Sequence, residues 1–122
     1  MAPAPVYNKS HTDFPTYVRD NEASKTGIED VITGSSGSIY TIYIDNSANS
    51  ADSFLKLYNS KDPTIGTTIP EMIVEIQQQR LVITSKQGIA FDTACSAAVL
   101  TAGGTGGTTS PSSAVHLAII GS

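Results

Sequence analysis

Few residues in this chain have side chains suited to catalysis. The histidines are His11 and His116, and the single cysteine is Cys95. An enzyme site needs a nucleophile beside a base, a metal, or carboxylates with separated pKa values. His116 lies in an alternating apolar run, and the sequence has no nucleophile-elbow motif that would supply its partner. We therefore expect that the protein is not an enzyme and binds no cofactor. The alternative is a small hydrolase that uses His116.

One polar turn has the oxygen side chains that a calcium ion prefers. These side chains are Asp45, Asn46, Asn49 and Asp52. The spacing of an EF-hand loop is missing, and Asn and Asp occupy turns for reasons of backbone conformation alone. One cysteine and two distant histidines do not form a zinc site. We therefore expect a turn here, and no metal.

The glycine-rich stretch 103–107 invites comparison with a phosphate-binding loop. Such a loop is followed by Lys-Ser or Lys-Thr and then a helix, whereas Thr-Thr-Ser-Pro follows here. The sequence instead predicts that residues 102–113 form a flexible, hairpin-like connection between two strands. Cys95 lies in an apolar run, which favours a small buried side chain over a reactive thiol.

The charge is unevenly distributed along the chain. The net charge is −4 at pH 7, and acids and bases balance within residues 1–27, so the excess acid lies in residues 28–122. Phosphate backbones repel such a surface, and no basic patch is interleaved with aromatic residues. We therefore do not expect the protein to bind nucleic acid.

The chain divides into an N-terminal arm and a body. Residues 1–27 have three prolines and no alternating apolar pattern, whereas short β-branched runs fill residues 28–122. A permanently solvated tail rarely has so many large apolar side chains. The arm therefore packs either on its own domain or on a neighbouring chain. Its candidate partner-binding residues are Val6, Tyr7, Phe14, Tyr17 and Val18.

The body is predicted to be all-β. Helix is scarce, because every 10-residue window with a helical period is broken by Gly, Pro or β-branched residues. Many short strands separated by turn residues are typical of a β-sandwich or jelly roll. The eight predicted strands are 28–33, 38–45, 53–58, 72–76, 81–84, 89–91, 94–101 and 114–120.

The sequence also bears on where the protein is made. Met-Ala-Pro-Ala-Pro at the start has neither the basic nor the apolar region of a signal peptide, and no apolar run approaches the length of a membrane span. We therefore expect synthesis and folding in a cytoplasm, and no membrane partner.

The body contains five further motifs, namely Ser-Ile-Tyr-Thr-Ile-Tyr-Ile-Asp-Asn-Ser-Ala-Asn at 38–49, Phe-Leu-Lys-Leu-Tyr at 54–58, Pro-Thr-Ile-Gly-Thr-Thr-Ile-Pro-Glu-Met at 63–72, Gly-Ile-Ala-Phe at 88–91 and Gly-Gly-Thr-Gly-Gly-Thr-Thr-Ser-Pro at 103–111. In these motifs the body resembles small virion proteins of tailed bacteriophages, especially phages of cyanobacteria and marine bacteria. The resemblance covers about residues 38–120 and does not include the arm. The segment Gln-Gln-Gln-Arg at 77–80 departs from the small-residue pattern expected there.

The resemblance implies a capsid decoration, or cement, protein on the virion surface. Such proteins often form homotrimers that bind between major capsid protein subunits, with an N-terminal arm reaching over the shell. The alternative is a tail, baseplate or fibre-head module with an adaptor-binding or host-glycan-binding role. In that case Tyr40 or Tyr43 would stack on sugar rings.

Overall fold

A computed structural model describes residues 36–122 of this chain, together with the backbone of two short strands at 6–8 and 16–20. The described residues form strands and loops without a helix. The strands are β1 (Val6–Asn8), β2 (Thr16–Asp20), β3 (Gly37–Asp45), β4 (Ser53–Tyr58), β5 (Met72–Ile76), β6 (Arg80–Phe91), β7 (Ser96–Leu100) and β8 (His116–Gly121).

These strands pair into two antiparallel sheets. The first has the order β1-β2-β8-β3-β6, and the second has the order β5-β4-β7. From β3 onward the chain passes between the sheets at four connections, namely β3–β4, β5–β6, β6–β7 and β7–β8. The prediction of an all-β, sandwich-like fold is confirmed.

The core lies between the sheets and follows the two-residue period of the strands. Alternate residues of β3, β6 and β8 face alternate residues of β4, β5 and β7, because side chains of one strand point to opposite faces in turn. The completely buried members include Ile42, Ile44, Leu55, Leu57 and Ile119. Aliphatic and β-branched side chains predominate, which suits close packing between pleated surfaces.

Strand β6 corrects the sequence prediction at one place. The segment Lys86-Gln87-Gly88 was expected to be a turn between strands 81–84 and 89–91, but the strand is continuous from Arg80 to Phe91. The register with β3 shifts between Ile39 and Thr41, and Gly88 has a φ of 88°. An irregularity in the ladder absorbs the additional residues, so the glycine bends a strand and does not end it.

Two other predictions concern connections and the N-terminal half. The stretch 102–113 is not a hairpin, because β7 and β8 belong to different sheets. Strand β8 lies between β2 and β3 in the five-stranded sheet. The predicted strand 28–33 and the proposed boundary at residue 27 lie outside the described residues. Within the part of the chain that the structure describes, no helix has the length and hydropathy of a membrane span.

Candidate functional site

Two segments of the arm lie in the five-stranded sheet. Strand β2 pairs with β8, with Thr16 opposite Gly121 and Asp20 opposite Leu117, and β1 pairs with β2 on the other side. Backbone hydrogen bonds therefore attach these segments to the domain of the same chain. Of the predicted partner-binding residues, Val6 and Tyr7 lie in β1, Tyr17 and Val18 lie in β2, and Phe14 lies outside the described residues.

The outer face of the five-stranded sheet has an exposed apolar position. Val82 of β6 is 58% exposed and pairs with Tyr43 of β3, which is half-buried. The other candidate for sugar stacking, Tyr40, is also half-buried, and its ring lies 3.0 Å from the position that a Cβ on Gly88 would take. Tyr43 is thus the better placed of the two tyrosines for contact with a ligand.

Hydrogen bonds of Asn46 hold together the turn at residues 45–52, which has the oxygen side chains that calcium prefers. The amide nitrogen of Asn46, which is completely buried, donates to the carbonyl oxygens of Ala51, Ile76 and Gln77. Its amide oxygen accepts hydrogen bonds from the Asn49 side chain and the Ser53 hydroxyl, both at 2.8 Å. The oxygen that a cation would need is already engaged, so this residue ties the β3–β4 turn to the end of β5.

The remaining oxygens of that turn are also engaged. Asp45 accepts hydrogen bonds from the Ser47 backbone and from Arg80, and the Ser47 contacts are the main reason that its pKa is lowered. Asp52 accepts a hydrogen bond of 2.6 Å from the Gln78 side chain, and Asp52 also raises the pKa of the neighbouring Glu75. Among the described residues, no three His, Cys, Asp or Glu side chains form a potential metal site.

The two candidate reactive groups differ in their exposure. His116 is exposed on β8, and its neighbour in the β3 ladder is Asp45, whose carboxylate oxygens already have the partners named above. Cys95 is completely buried in the core, and burial raises the pKa of its thiol to about 12. The thiolate, which is the reactive form of cysteine, is therefore strongly disfavoured in the folded protein.

The glycine-rich loop covers the outer face of the three-stranded sheet. Gly103 packs on the ring of Phe54 in β4, since a Cβ built there would lie 3.0 Å from that ring. The loop is closed by a hydrogen bond from the Thr101 backbone to the carbonyl oxygen of Thr109. Its function in the structure is to cover a sheet face, and no helix follows it to create a phosphate site.

On the same sheet face lies a buried polar pair that the sequence pattern did not indicate. Alternation along β4 places Phe54, Lys56 and Tyr58 on the face opposite the core residues Leu55 and Leu57. That pattern predicts a solvated lysine, yet Lys56 and Tyr58 are both 0% exposed. Sequence reasoning missed them because loops cover this face, and alternation alone does not show where a loop packs.

The hydrogen bonds of this pair are incomplete. The Lys56 ammonium donates to the carbonyl oxygen of Gly104, and burial lowers its pKa. The hydroxyl of Tyr58 has no hydrogen-bond partner among the described residues, and burial raises its pKa. Buried polar groups in proteins nearly always have partners, so this pair is the most unusual polar feature of the body.

Comparison with known proteins does not assign a family to this chain. It matches no protein-family profile, no curated protein and no solved structure.

Proposed function

We propose that this chain is a structural protein of a tailed bacteriophage virion, which decorates and stabilises the capsid by binding between major capsid protein subunits. We further propose that it acts as a homotrimer whose N-terminal arm holds neighbouring subunits. The motifs named above support the phage assignment. The observation that carries the mode of action is the backbone pairing of the arm with β8.

That pairing supports a function in protein contact because the arm joins the sheet of its own domain as an added strand. An extended segment adds to a sheet through main-chain hydrogen bonds, which need no particular side chain. The arm also has no net charge to oppose docking on a large protein surface, since residues 1–27 hold equal numbers of acids and bases.

The energy available from the arm is sufficient for this function. Each apolar side chain of the arm that is buried on a neighbour contributes about 1.5–3 kcal/mol. Three arms on one trimer act together, because binding of the first raises the effective concentration of the others. A capsid under internal pressure gains stability from such clamps without any change in its own subunits.

The proposal is tested by shell binding of the purified protein. Because β2 lies within the sheet, residues 1–15 are removed and β2 is kept. We expect the truncated protein to keep its oligomeric state in light scattering and to lose binding to empty shells in co-sedimentation. A second variant, Phe14→Ala, should weaken binding, whereas the nearby control Thr12→Ala should not. Full shell binding by the truncated protein would refute the function of the arm.

A tail or fibre-head module that binds host glycans is the second candidate. The neighbouring Tyr43 and Val82 on the outer sheet face favour it, because an accessible aromatic ring can stack on a sugar. Immunogold labelling of virions separates the two functions. Label on the tail alone would replace the capsid proposal with this one.

A further inference from the structure

Among the described residues, the buried pair Lys56 and Tyr58 on the outer face of β4 has no groups that neutralise the ammonium or bind the hydroxyl. Lys56 is a cation with three N–H donors, and the Gly104 carbonyl takes one of them. Among the described residues, the only ion pair joins Arg80 and Asp45, so no described carboxylate lies within 4.0 Å of the Lys56 ammonium. A buried charge without a counter-charge is strongly unfavourable.

The second observation is independent of the lysine. Tyr58 lies two residues further along β4, on the same outer face, with its hydroxyl completely buried and without a partner. It is the only such side-chain atom among the described residues. The residues paired with Lys56 and Tyr58 in β7 are Ala98 and Ser96, so both side chains of the pair have small cross-strand neighbours.

We propose that Lys56 and Tyr58 form a binding site for a carboxylate or a similar small oxyanion, covered by the glycine-rich loop. Both side chains offer hydrogen-bond donors, so the ligand must provide acceptors. The ammonium selects a negative charge and repels a metal cation. A carboxylate satisfies the free N–H groups of Lys56 and the hydroxyl of Tyr58 through charge-assisted hydrogen bonds.

The loop provides a route for the ligand. A Cβ built on Gly104 or Gly106 meets no atom within 4 Å, so the middle of the loop borders open space. The hydrogen bond between Lys56 and the Gly104 carbonyl ties this part of the loop to the sheet face. An entering anion competes with that carbonyl for the ammonium and releases the loop. The ligand is either a free ion or an acidic side chain of a partner.

The test measures thermal unfolding of the full chain in sodium acetate, in sodium phosphate and with an oligoglutamate peptide, against sodium chloride at equal ionic strength. Binding to the native state alone raises the melting temperature as the ligand concentration increases. We expect this rise in the wild-type protein, its loss in Lys56→Met and its reduction in Tyr58→Phe. The exposed Lys61 provides the matched control, because Lys61→Met should keep the full rise.

The three added ligands distinguish the two sources of the carboxylate or oxyanion. A rise with acetate or phosphate assigns a free ion, and a rise with the peptide alone assigns a partner's carboxylate. Two results would overturn the proposal. One is an equal rise in melting temperature for wild type and Lys56→Met, and the other is a melting temperature that no ligand raises above its value in sodium chloride. If Lys56→Met fails to fold, NMR of the wild-type Lys56 side chain during the titration decides, since an unshifted resonance would contradict binding. The site does not depend on the proposed function, and shell binding can fail while it holds.

Discussion

Asn46 joins three segments at one end of the sandwich, and its replacement by alanine measures what that junction contributes to stability. The substitution removes five side-chain hydrogen bonds. Three of them are buried, namely those with Ile76, Asn49 and Ser53. The bonds to Ala51 and Gln77 are partly buried, so water replaces part of what they contribute.

The expected loss follows from the buried bonds. Each buried partner left without a hydrogen bond costs about 1–3 kcal/mol. Asn49 keeps a bond to the Ser113 carbonyl, so the lower part of that range applies to it. The free energy of unfolding should fall by about 3–7 kcal/mol in Asn46→Ala, which is a large fraction of the roughly 5–15 kcal/mol that a domain of this size has.

Urea denaturation at 25 °C with equal slopes for wild type and variant provides the assay. The control is Ser50→Ala, an exposed change in the same turn, which should stay within about 0.5 kcal/mol of wild type. A loss below about 1 kcal/mol in Asn46→Ala would refute the structural interpretation of this turn. Stabilisation by calcium that disappears in Asn46→Ala would favour a cation site in its place.

Three further predictions concern Gly88, Cys95 and Lys56. Gly88→Ala places a side chain at φ 88° and 2.9 Å from the Ser38 Cβ, so it should lower the free energy of unfolding in urea by about 1–3 kcal/mol. The control Gly104→Ala should have little effect, because a Cβ there meets no atom within 4 Å. Equal effects of the two substitutions would contradict the bend in β6. Cys95 should not react with iodoacetamide at pH 8 until urea unfolds the domain, because burial raises the pKa of its thiol to about 12. Rapid labelling of the native protein would contradict the burial of this side chain. The lowered pKa of Lys56 means that between its folded pKa and 10.5 the unfolded state binds more protons, so this group adds stability as pH rises through that window. The stability of wild type relative to Lys56→Met should therefore increase as the pH rises towards 10.5 in urea titrations, and a difference independent of pH would contradict the burial of the ammonium.

The strands of the body were largely predictable from the sequence because their apolar residues alternate. Strands β4 and β5 have the predicted bounds, and β3 differs by one residue, since Gly37 precedes the alternating run. Strand β6 was divided in the prediction because Lys86-Gln87-Gly88 has the composition of a turn. A ladder irregularity takes the same residues as a turn, so composition alone does not separate the two.

The buried face beneath the glycine-rich loop was not predictable in the same way. The alternation of residues along β4 places Lys56 and Tyr58 on the sheet face that points away from the core. It does not show which loop covers that face. The pairing of β2 with β8 was missed for a related reason, since a five-residue strand next to Pro15 has too few alternating positions to be recognised. Contacts between segments distant in sequence decided both features.

The central claim is that this protein acts by holding other protein surfaces through its arm. Cryo-electron microscopy of assembled particles carrying the full chain tests it most directly. We expect density for residues 1–15 against an adjacent subunit, with Phe14 at the contact. An arm that touches only its own domain in the particle, or no protein at all, would contradict the account.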